Sequence, residues 1–164
     1  MKNKNLSFMT QAAMIAAIYV VLTYIFAPFS FGEVQVRISE ALTILPIFTP
    51  AAIPGLFVGC LIGNILGGAI LPDIVFGSIA TLIGAFFTWK LREQKPVVAT
   101  FPPIISNIII VPFVLRYGYG VTLPIPFMML TVGIGEVISC TVLGLIVYGA
   151  LKKYKSTLFR SEER

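Results

Sequence analysis

The chain contains no histidine and a single aspartate, Asp73. Without histidine no Ser–His pair and no imidazole metal site can be assembled. With one aspartate there is no intramembrane aspartate pair. Charge of either sign is scarce: 12% of the 164 residues are charged, against about 25% in an ordinary soluble domain. Cysteine occurs twice, at Cys60 and Cys140, inside apolar runs. These two read as small core hydrophobes and not as a disulfide framework. No G-x-x-x-x-G-K-[ST] stretch occurs, so ATP hydrolysis by this chain is excluded. No catalytic residue, metal site or cofactor is expected.

What is abundant is apolar surface. Hydrophobic residues make up 57% of the chain, more than one small core can hide. The sequence reads as an all-α integral membrane protein with a single membrane domain, 1–164. A helix needs about 20 apolar residues to cross the hydrocarbon. Six runs qualify if the loops are short: roughly 8–29, 37–53, 55–71, 74–92, 97–115 and 126–151. The second is interrupted by Pro46 and Pro50, and Pro54 follows it. The net charge is +5, and Lys and Arg gather at the start, in one middle loop and at the end. They flank apolar runs instead of lining one surface, so nucleic acid is not the expected partner. With the amino terminus in the cytoplasm, ten of the twelve Lys and Arg fall inside, and only Arg37 and Arg116 lie near the outer face. A six-helix bundle with both termini cytoplasmic is expected. The first run follows Lys2 and Lys4 but shows no small-residue cleavage site, so it reads as a helix and not a signal peptide.

Two packing patterns stand out. Gly55, Gly59, Gly63 and Gly67 recur every fourth residue, a smooth stripe that lets another backbone approach. On the first helix, Ala12 and Ala16, and Ala13 and Ala17, form a double small-residue face. Such a face suits internal packing or docking of another membrane protein.

Polar side chains at membrane depth are few. Glu136 lies within the sixth run, Asn107 near the middle of the fifth and Asn64 in the third. Arg37 and Glu40 open the second run, and Asp73 marks an outer turn. Antiparallel fifth and sixth spans bring Asn107 and Glu136 to similar depth. A buried carboxylate without a basic partner must take a proton or find a donor, and a ligand with N–H groups or positive charge supplies one. At i and i+3, Arg37 and Glu40 either pair with each other or line the mouth of the same cavity.

The block "VQVRISEALTILPIFTPAAIPGLFVGCLIGNILGG", Val34 to Gly68, closely resembles the QueT family of queuosine-precursor transporters. The likeness extends over nearly the whole chain, including "GEVISC". The resemblance implies a substrate-binding S component of an energy-coupling factor (ECF) transporter in a bacterial plasma membrane. Its partners would be a transmembrane coupling protein and two cytoplasmic ATPases. In such components an alanine-rich face of the first helix meets the coupling protein, which Ala12, Ala13, Ala16 and Ala17 match. The implied substrate is a 7-deazaguanine: preQ1, preQ0 or queuine. For such a ligand Glu136 would accept ring N–H groups and Asn107 would read a further ring atom. Glu40 would meet an aminomethyl cation, Arg37 would orient Glu40 or meet the ring carbonyl, and Tyr117 would stack on the base. The segment 29–36 is expected to close over bound substrate. A stand-alone gradient-driven carrier and a ligand-free membrane scaffold are the competing readings.

Overall fold

The structure is a computed structural model that describes residues 4–30 and 36–159. The described residues are helical throughout, with no strand. Four helices are long and apolar enough to cross a membrane: α1 (Lys4–Ile25), α4 (Leu71–Lys90), α5 (Pro96–Gly118) and α6 (Ile125–Lys152). A short turn, α2 (Ala27–Ser30), follows α1, and another, α7 (Lys155–Leu158), follows α6. The expected runs 37–53 and 55–71 form shorter apolar elements: a 3₁₀ segment (Ile38–Ile47) and α3 (Ala52–Leu66). Residues 31–35 of the expected closing segment lie outside the described residues.

The distribution of side chains is that of a protein in lipid. Large apolar residues such as Met14, Ile18, Phe76, Phe87, Ile105 and Ile146 face outward, while Thr23, Glu40, Asn64, Thr81, Asn107 and Glu136 are buried. Exposed apolar belts of this extent mark contact with hydrocarbon, and polar groups at that depth turn inward to find partners. The chain is a multi-pass membrane protein.

The shortness of the segment has a sequence cause: Pro46, inside it, has no backbone N–H to donate, and Pro50 follows its end. A 3₁₀ helix rises about 2.0 Å per residue, so this short segment covers about 20 Å. It runs antiparallel to α1: Ser39 meets Thr23 (2.9 Å), Glu40 meets Tyr19 and Thr49 meets Gln11 (2.9 Å). From Thr23 to Gln11, α1 covers about 18 Å. The tighter winding thus lets a short stretch traverse the bundle interior.

The glycine stripe sets the next contact. Gly55 faces Ala12, Gly59 faces Ala16 and Tyr19, and Gly63 faces Thr23, so α3 runs parallel to α1. A Cβ at Gly55 would lie 2.7 Å from the Ala12 carbonyl oxygen, and one at Gly59 would lie 2.8 Å from the Tyr19 Cβ. Only glycine permits this approach. Gly67 is the C-cap of α3, its N–H bonded to the Gly63 carbonyl.

The remaining helices alternate in direction. Thr81 Oγ1 of α4 contacts Cys60 Sγ of α3 at 3.4 Å. Ser106 Oγ of α5 donates to the Ala80 carbonyl (2.9 Å), and Gly84 backs onto Pro103. The Thr100 and Thr141 hydroxyls join α5 to α6 at 3.0 Å. At the end of the bundle near Lys152, Phe48 stacks between Tyr148 and Phe159, with centroids 5.3 and 5.5 Å away.

Candidate functional site

The inner wall of the bundle carries two linked polar groups. The first centres on Glu40 and Glu136. Tyr19 donates its hydroxyl to Glu40 Oε1 at 2.5 Å. Glu40 Oε2 has no hydrogen-bond partner among the described residues, although Glu40 is only 1% exposed. Across from it, Cys140 donates its thiol to Glu136 Oε2 at 3.2 Å. The Asn107 amide lies beside the same carboxylate. Thr43 ties the halves together, with its hydroxyl 2.6 Å from the Glu40 carbonyl oxygen and 3.5 Å from Cys140 Sγ.

One oxygen of Glu40, one oxygen of Glu136 and Cys140 Sγ lie within 4.8 Å of one another. Two ionised carboxylates at that separation repel by at least about 3 kcal/mol at an effective dielectric near 20. The local backbone is also irregular. Glu40 is on the 3₁₀ segment, and Glu136 closes an α-helical stretch just before the π-helical turns Val137–Leu143. Such π-turns concentrate at functional sites, because the wider winding re-aims side chains that a regular helix would point elsewhere.

The second group lies at the opposite end of the bundle from the Lys90–Lys95 loop. Arg37 pairs with Asp73, Nη2 to Oδ2 at 3.5 Å. Tyr119 donates to the same oxygen at 2.9 Å and accepts from the Ile70 N–H at 3.4 Å. Partial burial and the neighbouring Asp73 charge push the Tyr119 hydroxyl up to about 12. Asp73 occupies the first turn of α4, where the helix dipole favours a carboxylate. Gly77 makes room beside it: a Cβ there would lie 3.1 Å from Asp73 Oδ1 and 3.3 Å from Asn64 Nδ2. Three connections, before the 3₁₀ segment, between α3 and α4, and between α5 and α6, are thereby fastened together.

Of the residues singled out from sequence, the structure brings Glu136, Asn107 and Glu40 together, with Arg37 in the adjoining group. Arg37 and Glu40 each take a partner from another element, Asp73 and Tyr19. Tyr117 is elsewhere. It is 79% exposed, stacks on Phe113 (6.4 Å) and lines an outward apolar groove of about 490 Å³ with Phe76 and Ile109. The alanine face divides. Ala12 and Ala16 pack on the glycine stripe, while Ala13 and Ala17 are exposed.

Sequence reasoning missed Tyr19 as a carboxylate partner and Cys140 as a thiol within the polar group. A signal existed for Tyr19. With Thr23 it continues the Ala12–Ala16 stripe by one and two turns, placing hydroxyls where the stripe had small apolar groups. For Cys140, its i+4 spacing from Glu136 was the available clue.

Against known proteins, residues 9–153 match the family described as QueT transporter. The chain belongs to the QueT transporter family. It is 33% identical over 84 residues to the Queuosine precursor transporter QueT of Lactococcus lactis subsp. cremoris (strain MG1363). That match covers 50% of this chain and 48% of the relative, so the similarity spans about half the length of each. No solved structure matches the chain. Membership of a transporter family agrees with a transport protein and not an enzyme.

Proposed function

We propose that this chain is the substrate-capture subunit of an ECF-type importer for a queuosine precursor of the 7-deazaguanine class. The observation that carries the reading is the buried Glu40–Glu136–Asn107 group, set inside a lipid-facing bundle of a transporter family. A lone polar group in hydrocarbon is costly, and a cluster containing an unsatisfied carboxylate oxygen suits a ligand rich in N–H donors. Glu136 and Glu40 accept those donors, Asn107 reads a further ring atom, and Arg37 holds the outer side of the pocket through Asp73. Tyr117 serves as a stacking residue only if substrate first rests at the outer rim.

The alternating direction of the six apolar elements supports six passes through the membrane as one domain. Basic residues flank one end of α1, α4, α5 and α6, which supports cytoplasmic termini in a bacterial plasma membrane. Energy would come from two cytoplasmic ATPases through a transmembrane coupling protein docked on the exposed Ala13 and Ala17 face.

Thermal stability of the purified chain in detergent, titrated with preQ1, preQ0, queuine and guanine, tests the capture role. Ligand at 100 times its dissociation constant adds about 2.7 kcal/mol. Stabilisation by a deazaguanine but not by guanine is the expected result, and no shift in a folded sample rejects the reading. Uptake in vesicles lacking ATPase subunits would reject the ECF coupling instead.

A further inference from the structure

Toward the Lys90–Lys95 loop, helices α4 and α5 touch closely. Gly84 backs onto Pro103, and Ser106 Oγ donates to the Ala80 carbonyl at 2.9 Å. Toward the other end, Pro112 and the π-helical turns Val114–Gly118 interrupt the regular winding of α5, and both are causes of helix bending. There the two helices flank the apolar groove of about 490 Å³, a volume within the range of ligand pockets. Pro72 and Phe76 of α4 line one side, and Ile109, Phe113, Tyr117 and Gly118 of α5 line the other. The Tyr117 hydroxyl is the only polar side-chain atom in the lining, so the groove suits hydrocarbon and not a nucleobase. From Ile109 to Gly118 it follows α5 for about 14 Å. That is close to half of a hydrocarbon core about 30 Å thick, the depth of one leaflet. Just beyond it, Tyr119 donates to Asp73 at 2.9 Å and ties the two helix ends together.

The head of the groove carries a charge. Arg116, next to Tyr117, is exposed, and its Nη1 donates to the Val121 carbonyl at 3.2 Å. Arg37 at this end is buried and lies on Asp73. Among the described residues of this end, Arg116 is the only exposed charged side chain. We infer that the groove holds one acyl chain of an anionic phospholipid, with the phosphate of that lipid on Arg116. The guanidinium offers forked N–H donors that match phosphate oxygens, and no exposed carboxylate among the described residues of this end competes for it. The Tyr117 ring, 79% exposed against the protein, sits where chain meets headgroup, the level at which aromatic rings gather in membranes. A lipid so placed braces α4 against α5 beside the Asp73–Tyr119 bond. The site is separate from the buried glutamates and does not depend on the capture reading.

Native mass spectrometry of the full chain in a non-ionic detergent tests the assignment, with dioleoylphosphatidylglycerol and dioleoylphosphatidylcholine added in equal amounts. The expected result is one tightly held lipid, retained about fivefold more often with the anionic headgroup, the preference that one basic side chain gives. Arg116→Gln should bring that ratio to within about twofold, and Arg116→Lys should keep it. Ile109→Trp, at a lipid-facing position that is 54% exposed, fills the groove and should lower retention of both lipids. Equal retention of the two lipids by the wild type overturns the anionic assignment, whether or not a variant folds. A preference that survives Arg116→Gln but is lost when Lys90→Gln, Arg92→Gln and Lys95→Gln are combined puts the lipid at the opposite end and overturns the site. Unchanged retention in Ile109→Trp removes the groove as its seat.

Discussion

Helix α1 presents two contacts of opposite character. Toward α3 it offers Ala12 and Ala16 against Gly55 and Gly59, with backbones so close that one added carbon would collide. Toward the 3₁₀ segment it offers Tyr19 and Thr23 to Glu40 and Ser39, a contact made of hydrogen bonds. In lipid no hydrophobic force drives helices together, so close packing of small residues holds them and polar contacts add to it. The glycine wall is complete as it stands. The polar wall is not, because one glutamate oxygen is idle and two acids face each other. The first contact fixes α3 against α1, and under the capture proposal the second is where substrate binds.

Breaking the closed wall should have the largest effect. Gly55→Leu forces a side chain into the Ala12 backbone, which cannot yield as a flexible side chain would. A cost of about 3 kcal/mol or more is expected, read as loss of a monodisperse peak in size-exclusion chromatography. Gly149→Leu, where a Cβ meets nothing within 4 Å, should elute normally. If both behave alike, close packing is not what holds α1 to α3.

Altering the open wall should act in the opposite direction on stability. Glu136→Gln removes one of two facing acids while keeping an acceptor for the Cys140 thiol. The ligand-free protein should gain about 1 kcal/mol, seen as a higher Tm, while ligand affinity falls. A lower ligand-free Tm would mean that the carboxylate serves the fold.

The Asp73 fastening lies between these extremes. Tyr119→Phe removes two partly exposed hydrogen bonds, one to Asp73 and one from the Ile70 N–H, together worth about 1 kcal/mol. The Tyr119 hydroxyl is raised from 10.0 to about 12, so folding favours its protonated form. That contribution is fully present below pH 10 and is lost as pH rises through about 12. Alkaline titration of stability should therefore be shallower in Tyr119→Phe than in the wild type across that window. Parallel curves would remove Tyr119 from the fastening.

The smallest stability effect should come from Ala13→Leu on the exposed face, within about 0.5 kcal/mol. Ala16→Leu, against Gly59, should cost about 1–3 kcal/mol. Under the docking proposal Ala13→Leu nevertheless abolishes ATP-driven uptake in the reconstituted complex. Full uptake by a folded Ala13→Leu protein would move the coupling surface elsewhere.

The lipid-facing character, the long helices α1, α4, α5 and α6 and the inward glycines were legible in sequence, because each depends on composition or on a period within one segment. So was the shared depth of Asn107 and Glu136, which follows from antiparallel neighbours. The 3₁₀ winding of 38–47 was not, since prolines announce an interruption but not the rise per residue that replaces the α-helix. Nor were the partners: in sequence Arg37 and Glu40 could either pair or line one cavity, and the structure gives them Asp73 and Tyr19 as partners. Cys140 looked like a core hydrophobe and donates to Glu136. Periodicity is a property of one helix, whereas charge pairing depends on which helices touch and in what register. Here the 3₁₀ segment packs against the π-helical turns of α6, and only that three-dimensional fit brings two distant glutamates to one point.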